Sequence, residues 1–303
     1  MKQFRLISLL LTVLAVFSLA ACSSKEAPVT EASSETSAAV LPTEDPVEIG
    51  TNGERIFDDS RNIVLFEDES CAFTLNKAEI DSLSDYNWVV TLENRTMENQ
   101  IYTVDEVYVN DIAFDPGWAV RSEAGRTDEE HIIWTAPEME KRNITQINRV
   151  DFRLRIYPDG NSQAAFADEY ITVYPSGKSA YLPQNRNPQT TDVVFLDNDS
   201  YTFMVTGYDP DSRWGYGLDL YVVNKTDSPV EFFAENVKIN DAPCDPQWAC
   251  TMGPGKQGTS KMLWFTDALE AAEVEAVSSV NFDLVVRDLS GTQVFKDSYV
   301  LIP

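Results

Sequence analysis

Asn110-Asp111-Ile112-Ala113-Phe114-Asp115-Pro116-Gly117-Trp118-Ala119 and Asn240-Asp241-Ala242-Pro243-Cys244-Asp245-Pro246-Gln247-Trp248-Ala249 are one phrase written twice, 130 positions apart. The same offset holds on both sides of it. Upstream, Ser70, Phe73, Asp81-Ser82 and Asn94-Arg95-Thr96 return as Ser200, Phe203, Asp211-Ser212 and Asn224-Lys225-Thr226. Downstream, Gly125, Trp134, Phe152 and Leu154 return as Gly255, Trp264, Phe282 and Leu284. Agreement in register from Ile63/Val193 to Gln163/Gln293, without a gap, marks an internal duplication. It predicts two tandem domains, residues 60–175 and 190–303, of ordinary domain size. Residues 176–189 form a Pro/Asn/Gln-rich connection between them.

Each copy reads as strands. Cys71 to Leu75 alternates, and Trp88 to Leu92, Ile101 to Val109 and Val150 to Tyr157 are rich in Val, Ile, Tyr, Phe and Trp. Their counterparts in the second copy have the same character. Short β-rich runs separated by Asn, Asp, Gly and Pro predict an all-β fold, two immunoglobulin-like β-sandwiches of about seven strands each. One short helix interrupts each copy, at Pro137 to Arg142 and at Asp267 to Glu275, with Thr266 or Asp267 as the cap of the second.

The repeated Asn-Asp-x-x-x-Asp-Pro-x-Trp segment comes with a preceding Asn-x-Thr and a following Gly-Arg or Gly-Lys turn. Together they resemble the immunoglobulin-like modules of surface lipoproteins from Gram-positive bacteria. Those modules are similar in fold to secreted immunoprotective antigens of mycobacteria. The resemblance implies an extracellular, non-enzymatic module and carries no established binding residue.

The first 21 residues carry a second resemblance. Lys2 and Arg5 precede an apolar run from Leu6 to Ala20, and the segment closes on Leu19-Ala20-Ala21-Cys22. The run is short for a spanning helix and suits a secretion signal. Its end is similar to the bacterial lipobox, which implies cleavage before Cys22 and a diacylglycerol on its thiol. Two acyl chains anchor stably where one does not. The expected location is therefore the extracytoplasmic face of the cell membrane. Residues 22–59 are rich in Ser, Thr, Ala, Glu and Pro and read as a disordered tether. As a flexible coil of roughly 35 residues its ends would lie about 30–35 Å apart.

Charge excludes several partners. Lys and Arg number 23 against 49 Asp and Glu, a net charge of −26. Such a balance repels nucleic acid and anionic bilayers, leaving the lipid on Cys22 as the membrane contact.

The candidate sites each admit a structural and a functional reading. Asp111 with Asp115, and Asp241 with Asp245, are either cation-holding pairs or turn formers, and neither loop has a calcium-site ligand pattern. Trp118/Trp248 and Trp134/Trp264 read as core anchors, because a duplicated fold needs the same anchors twice. Trp88 and Trp214 have no counterpart; they stand opposite Leu218 and Ser84. With Tyr216, they either form a ligand patch at the end of a sandwich or close that end. Cys244 and Cys250 flank the second Asp-Pro loop and are either a loop-clipping disulfide or small core residues. Cys71 reads as a buried free thiol.

No cysteine has a metal-site spacing, and no metal or cofactor is expected. Catalysis has little to build on. The one histidine, His131, lies in a predicted strand, and Gly253-Pro254-Gly255-Lys256-Gln257-Gly258-Thr259 lacks the ending of a phosphate loop. The sequence therefore points to a lipid-anchored binding module for an extracellular protein, peptide or wall glycan. The alternative is a spacer with no discrete ligand.

Overall fold

The computed structural model describes residues 48–303 apart from residues 52, 185 and 187. Cys22 and the signal and lipidation assignments lie outside these residues. The first half comprises β1 (Glu48–Ile49), β2 (Arg55–Phe57), β3 (Ile63–Glu67), β4 (Cys71–Ile80), β5 (Tyr86–Asn94), β6 (Gln100–Val109), β7 (Ile112–Ala113), β8 (Ala119–Ser122), β9 (Thr127–Trp134), α1 (Ala136–Lys141), β10 (Val150–Pro158) and β11 (Ala167–Val173). The second comprises β12 (Val193–Asp197), β13 (Tyr201–Ser212), β14 (Gly215–Asn224), β15 (Val230–Ile239), β16 (Ala242–Pro243), β17 (Ala249–Met252), β18 (Gln257–Phe265), α2 (Thr266–Ala271), β19 (Val280–Asp288) and β20 (Gln293–Leu301).

In the first half β3-β4-β5-β9 form one sheet, and β11-β10-β6 with β8 form the facing one. The chain changes sheet between β5 and β6, returns between β8 and β9, and crosses again through α1 to β10. That is the Greek-key connection of an immunoglobulin-like sandwich. The second half repeats it with β12-β13-β14-β18 against β15-β19-β20 and β17. Alternation explains the burial: Trp88, Val90 and Leu92 of β5 face inward, as do Phe152, Leu154 and Ile156 of β10. Each half encloses its own apolar cluster, one around Trp88, Trp134 and Phe152, the other around Trp264, Phe203 and Phe282.

The repeated motifs have a structural purpose. Asn110-Asp111 and Asn240-Asp241 all have positive φ and turn β6 into β7 and β15 into β16. The Asn110 side-chain oxygen accepts from the Asn148 and Arg149 amides, and that of Asn240 from Ser278 and Ser279. In the Asn-x-Thr motif, buried Asn94 donates to the Glu98, Ser122 and Glu123 carbonyls. Asn224 does the same with Ser228, Met252 and Gly253. A single buried amide thus ties three loops together, which an apolar residue could not do.

Two expectations require correction. The tether was expected to run to residue 59, but β1 and β2 lie within it, and β2 pairs in parallel with β11. The run Arg55-Ile56-Phe57 is short enough to vanish in a polar context, yet Phe57 packs on the first core. Neither Thr266 nor Asp267 caps α2. Phe265 stands at the cap position without a side-chain bond, and Asp267 accepts from its neighbour Ala268.

The two halves share a sheet. β7, on the edge of one first-half sheet, pairs in parallel with β18 through Ile112 and Gln257. The Gln257 amide donates to the Asp111 carbonyl at 2.9 Å. Gly258 makes this approach possible, since a Cβ there would lie 2.7 Å from the Ala113 Cβ. Its first-half counterpart is Asp128.

Candidate functional site

Two concavities were assessed. The first lies at the joint, about 310 Å³ between Tyr108, Arg149 and Tyr170 on one side and Asp227, Gly253 and Pro254 on the other. Its floor is an ionic knot. Lys256, only 7 % exposed, extends over the Tyr108 ring and reaches Asp111 at 2.5 Å and Asp151 at 2.8 Å. Arg149 pairs with the same two carboxylates. Burial alone would lower the Arg149 pKa, but Asp151 and Asp111 raise it. The Tyr181 hydroxyl donates to Asp111, and the Tyr108 hydroxyl accepts from the Gly253 amide at 3.0 Å. These polar groups satisfy one another, which makes this a structural joint.

That settles Asp111: the cations it holds are Lys256 and Arg149. Asp115 accepts from the Gly117 amide in an Asx turn, while Asp241 and Asp245 are exposed. Among the described residues, no group of three or more His, Cys, Asp or Glu converges as for a metal ion. His131 is hydrogen-bonded to the Asn87 side chain on the outer face of β9.

The second concavity lies at the free pole of the second half, about 570 Å³ beneath the β13–β14 hairpin. Three features build it. First, β13 and β14 extend to Ser212 and Gly215, leaving Arg213 and Trp214 as the tip. In the first half the matching strands stop at Ile80 and Tyr86. Second, Gly215 replaces Asp85. The Asp85 carboxylate accepts from the Ala136 amide at the start of α1, whereas in the second half the Trp214 carbonyl takes the corresponding Thr266 amide. A side chain at 215 would meet the Trp264 carbonyl oxygen at 2.0 Å, and φ is +138°.

Third, the apolar filling shrinks. Met139, Ile144 and Ile147 are buried in the first half; their counterparts Leu269, Val274 and Val277 are only half-buried and line the pocket, and the two valines are each one methylene smaller than the isoleucines they replace.

Tyr216 forms part of the wall. It is 6 % exposed and packs tilted against Trp264 with ring centroids 6.0 Å apart, and its hydroxyl has no hydrogen-bond partner among the described residues. Burial pushes its pKa up to about 12, with Tyr208 adding to the shift. In the first half the Tyr86 hydroxyl faces the Trp88 indole N–H without reaching hydrogen-bond geometry. Leu218 replaces that indole, so Tyr216 has nothing comparable to face. Glu270 and Glu275 also line the pocket; both are exposed, and neither forms an ion pair among the described residues.

The three aromatic residues singled out from the sequence therefore part company. Trp214 is 57 % exposed, with Arg213 over its ring at 4.9 Å. Trp88, 1 % exposed, packs edge-on against Trp134 and Phe152, so it is core and not a ligand residue. Tyr216 is not an exposed platform either, because strand alternation turns its ring inward. Leu269, Val274 and Val277 were missed as pocket-lining residues, although Val274 and Val277 are each smaller than the isoleucine 130 positions earlier.

Of the two readings of Cys244 and Cys250, the disulfide clip is not formed: both are free thiols, as is Cys71. Cys244 is buried against the Ala268 carbonyl, and Cys250 lies in β17 opposite Phe232. The Trp pairs are anchors with matching bonds, Trp134 to the Phe114 carbonyl and Trp264 to that of Cys244.

No protein-family model and no curated protein matches the chain. Solved structures with some similarity include a Salmonella enterica SafA pilin in complex with the SafB chaperone. It has 12% identity and a TM-score of 0.24, covering 78% of this chain and 98% of that one. The YadV chaperone has 15% identity and a TM-score of 0.23, covering 71% and 92%. A Porphyromonas gingivalis W83 protein of unknown function has 12% identity and a TM-score of 0.21, covering 75% and 95%.

Proposed function

We propose that the chain is a lipid-anchored, non-enzymatic binding module displayed on the extracytoplasmic face of the membrane, with the pole of its second half as the binding end. The observation that carries this is the asymmetry between the copies. The first copy closes its pole with Asp85, Met139, Ile144 and Ile147, while the second keeps an open pocket beside an exposed tryptophan. Duplicated domains that served only as packing units would have no physical reason to leave one pole unfilled, since empty apolar volume costs stability. Exposed aromatic groups on a loop held by a rigid sandwich are a usual form of recognition surface.

A photo-reactive phenylalanine placed at Trp214, and separately at Ser84 as the matching control, tests the reading on intact cells. A discrete adduct from position 214 and none from 84 is the expected result. Equal adducts from both, or none from either at normal abundance, would favour the spacer reading. For the anchor, Cys22→Ala should release the chain into the medium or leave it unlipidated; full retention in the membrane through an uncleaved signal would contradict it.

A further inference from the structure

We infer that the pole pocket of the second half takes a basic peptide segment, with an apolar side chain inserted against Leu269, Val274 and Val277 and flanking Lys or Arg groups at Glu270 and Glu275. This deepens the binding reading above and rests on it. Three observations converge. One wall is aliphatic, built from Leu269, Val274, Ala276 and Val277, with the Tyr216 ring and Pro210 adding apolar surface. A sugar would need several buried donors and acceptors, whereas the polar side chains on the wall are Ser212 and Thr266 besides the two rim carboxylates, and the Tyr216 hydroxyl is closed off inside the protein.

The rim decides the sign of the partner. Glu270 and Glu275 have no cation partner among the described residues, unlike the carboxylates of the joint, and the chain as a whole is strongly acidic. A segment with Lys or Arg beside the inserted side chain is attracted, and an acidic one is repelled. At the tip, Trp214 can cover the segment's exposed side and keep water from the rim.

The probes are acetyl-Arg-Leu-Arg amide, acetyl-Glu-Leu-Glu amide, acetyl-Arg-Ser-Arg amide and chitotetraose, titrated into the full chain in detergent. Methyl resonances of Leu269, Val274 and Val277 report the pocket. The Arg-Leu-Arg peptide is expected to shift all three and to weaken about ten-fold in the Glu270→Gln/Glu275→Gln double variant. The serine peptide should bind at least about ten-fold more weakly, since it loses the inserted leucine. Val274→Ile with Val277→Ile, which restores the first-copy side chains on the pocket wall, should diminish binding; the rim variant, at exposed positions, keeps the test valid if the filled variant misfolds. Equal binding of the Glu-Leu-Glu peptide, or binding of chitotetraose in place of all peptides, would overturn the inference. So would silence from every probe. If position 214 still captures a neighbour on cells in that case, the binding function stands and only the ligand class fails.

Discussion

Replacing Lys256 with Met removes one charge from the joint while keeping most of the side-chain volume. Lys256 is nearly buried, and its partners Asp111 and Asp151 have side-chain exposures of 14% and 13%. Removing one partner from a buried ion pair costs roughly 3–5 kcal/mol, because the remaining charge is stranded. Here Arg149 stays in contact with both carboxylates, at 3.3 Å and 2.8 Å, which places the expected loss at the low end, about 3 kcal/mol. The chain supplies its own control. Arg126 holds the same place in the first half, but its side chain is 57% exposed and pairs with Glu123 and Asp128 at the surface. Arg126→Met should cost less than about 1 kcal/mol.

Urea unfolding followed by tryptophan fluorescence measures both. If the joint opens before either sandwich melts, the Lys256→Met curve should split into two transitions, each with a smaller denaturant slope than the parent. Equal losses for Lys256→Met and Arg126→Met would refute the claim that the joint is an energetic unit.

Other expectations follow from burial and charge. Trp88→Ala should cost about 3–5 kcal/mol in urea unfolding, and Trp214→Ala should stay within about 0.5 kcal/mol; a reversed order would mean the two were misplaced. The Ser298 hydroxyl, the Asn236 amide and the Lys296 ammonium hold the Asp283 pKa down to about 2. Because this folded-state value lies below the ordinary one, the stabilisation is complete above about pH 4 and fades as pH falls through about 2. The stability gap between the parent and Asp283→Asn should therefore shrink from pH 6 to pH 2, and a constant gap would contradict the assignment. Burial, with Asp68 adding to it, pushes the Cys71 thiol up to about 12, and burial pushes Cys250 up to about 11. Neither should react with iodoacetamide at pH 8 until the chain is unfolded, as read by peptide mass spectrometry.

Much of the fold was legible because the duplication supplies two readings of every strand. Phe152 and Phe282, or Trp134 and Trp264, confirm each other as inward positions. The joint was not legible, since Asp111 and Lys256 are 145 residues apart and each resembles an ordinary turn residue. Their meaning depends on a contact between copies that no periodicity encodes. The exposed tip of the β13–β14 hairpin was half legible. Trp214 is unmatched and exposed, but Trp88 is also unmatched and sits in the core, because novelty between copies says nothing about which face of a strand a residue occupies. The signal for the pocket was the reduction from Ile144 and Ile147 to Val274 and Val277. It becomes readable only once those positions are known to meet at one pole.

A head-to-tail contact between like domains has no inherent end, and repeated between chains it would build a filament. This molecule carries the remedy in the two surfaces its joint does not use. Where the first half offers Tyr108, Ile112 and Ala113 to β18, the second half has Lys238, Ala242 and Pro243. Proline has no N–H to give an incoming strand. At the opposite end, where Gly258 admits its neighbour, Asp128 presents a carboxylate already bonded to Ser122. Both unused faces are thus blunted against an incoming strand, whereas the two faces that meet at the joint are open to one.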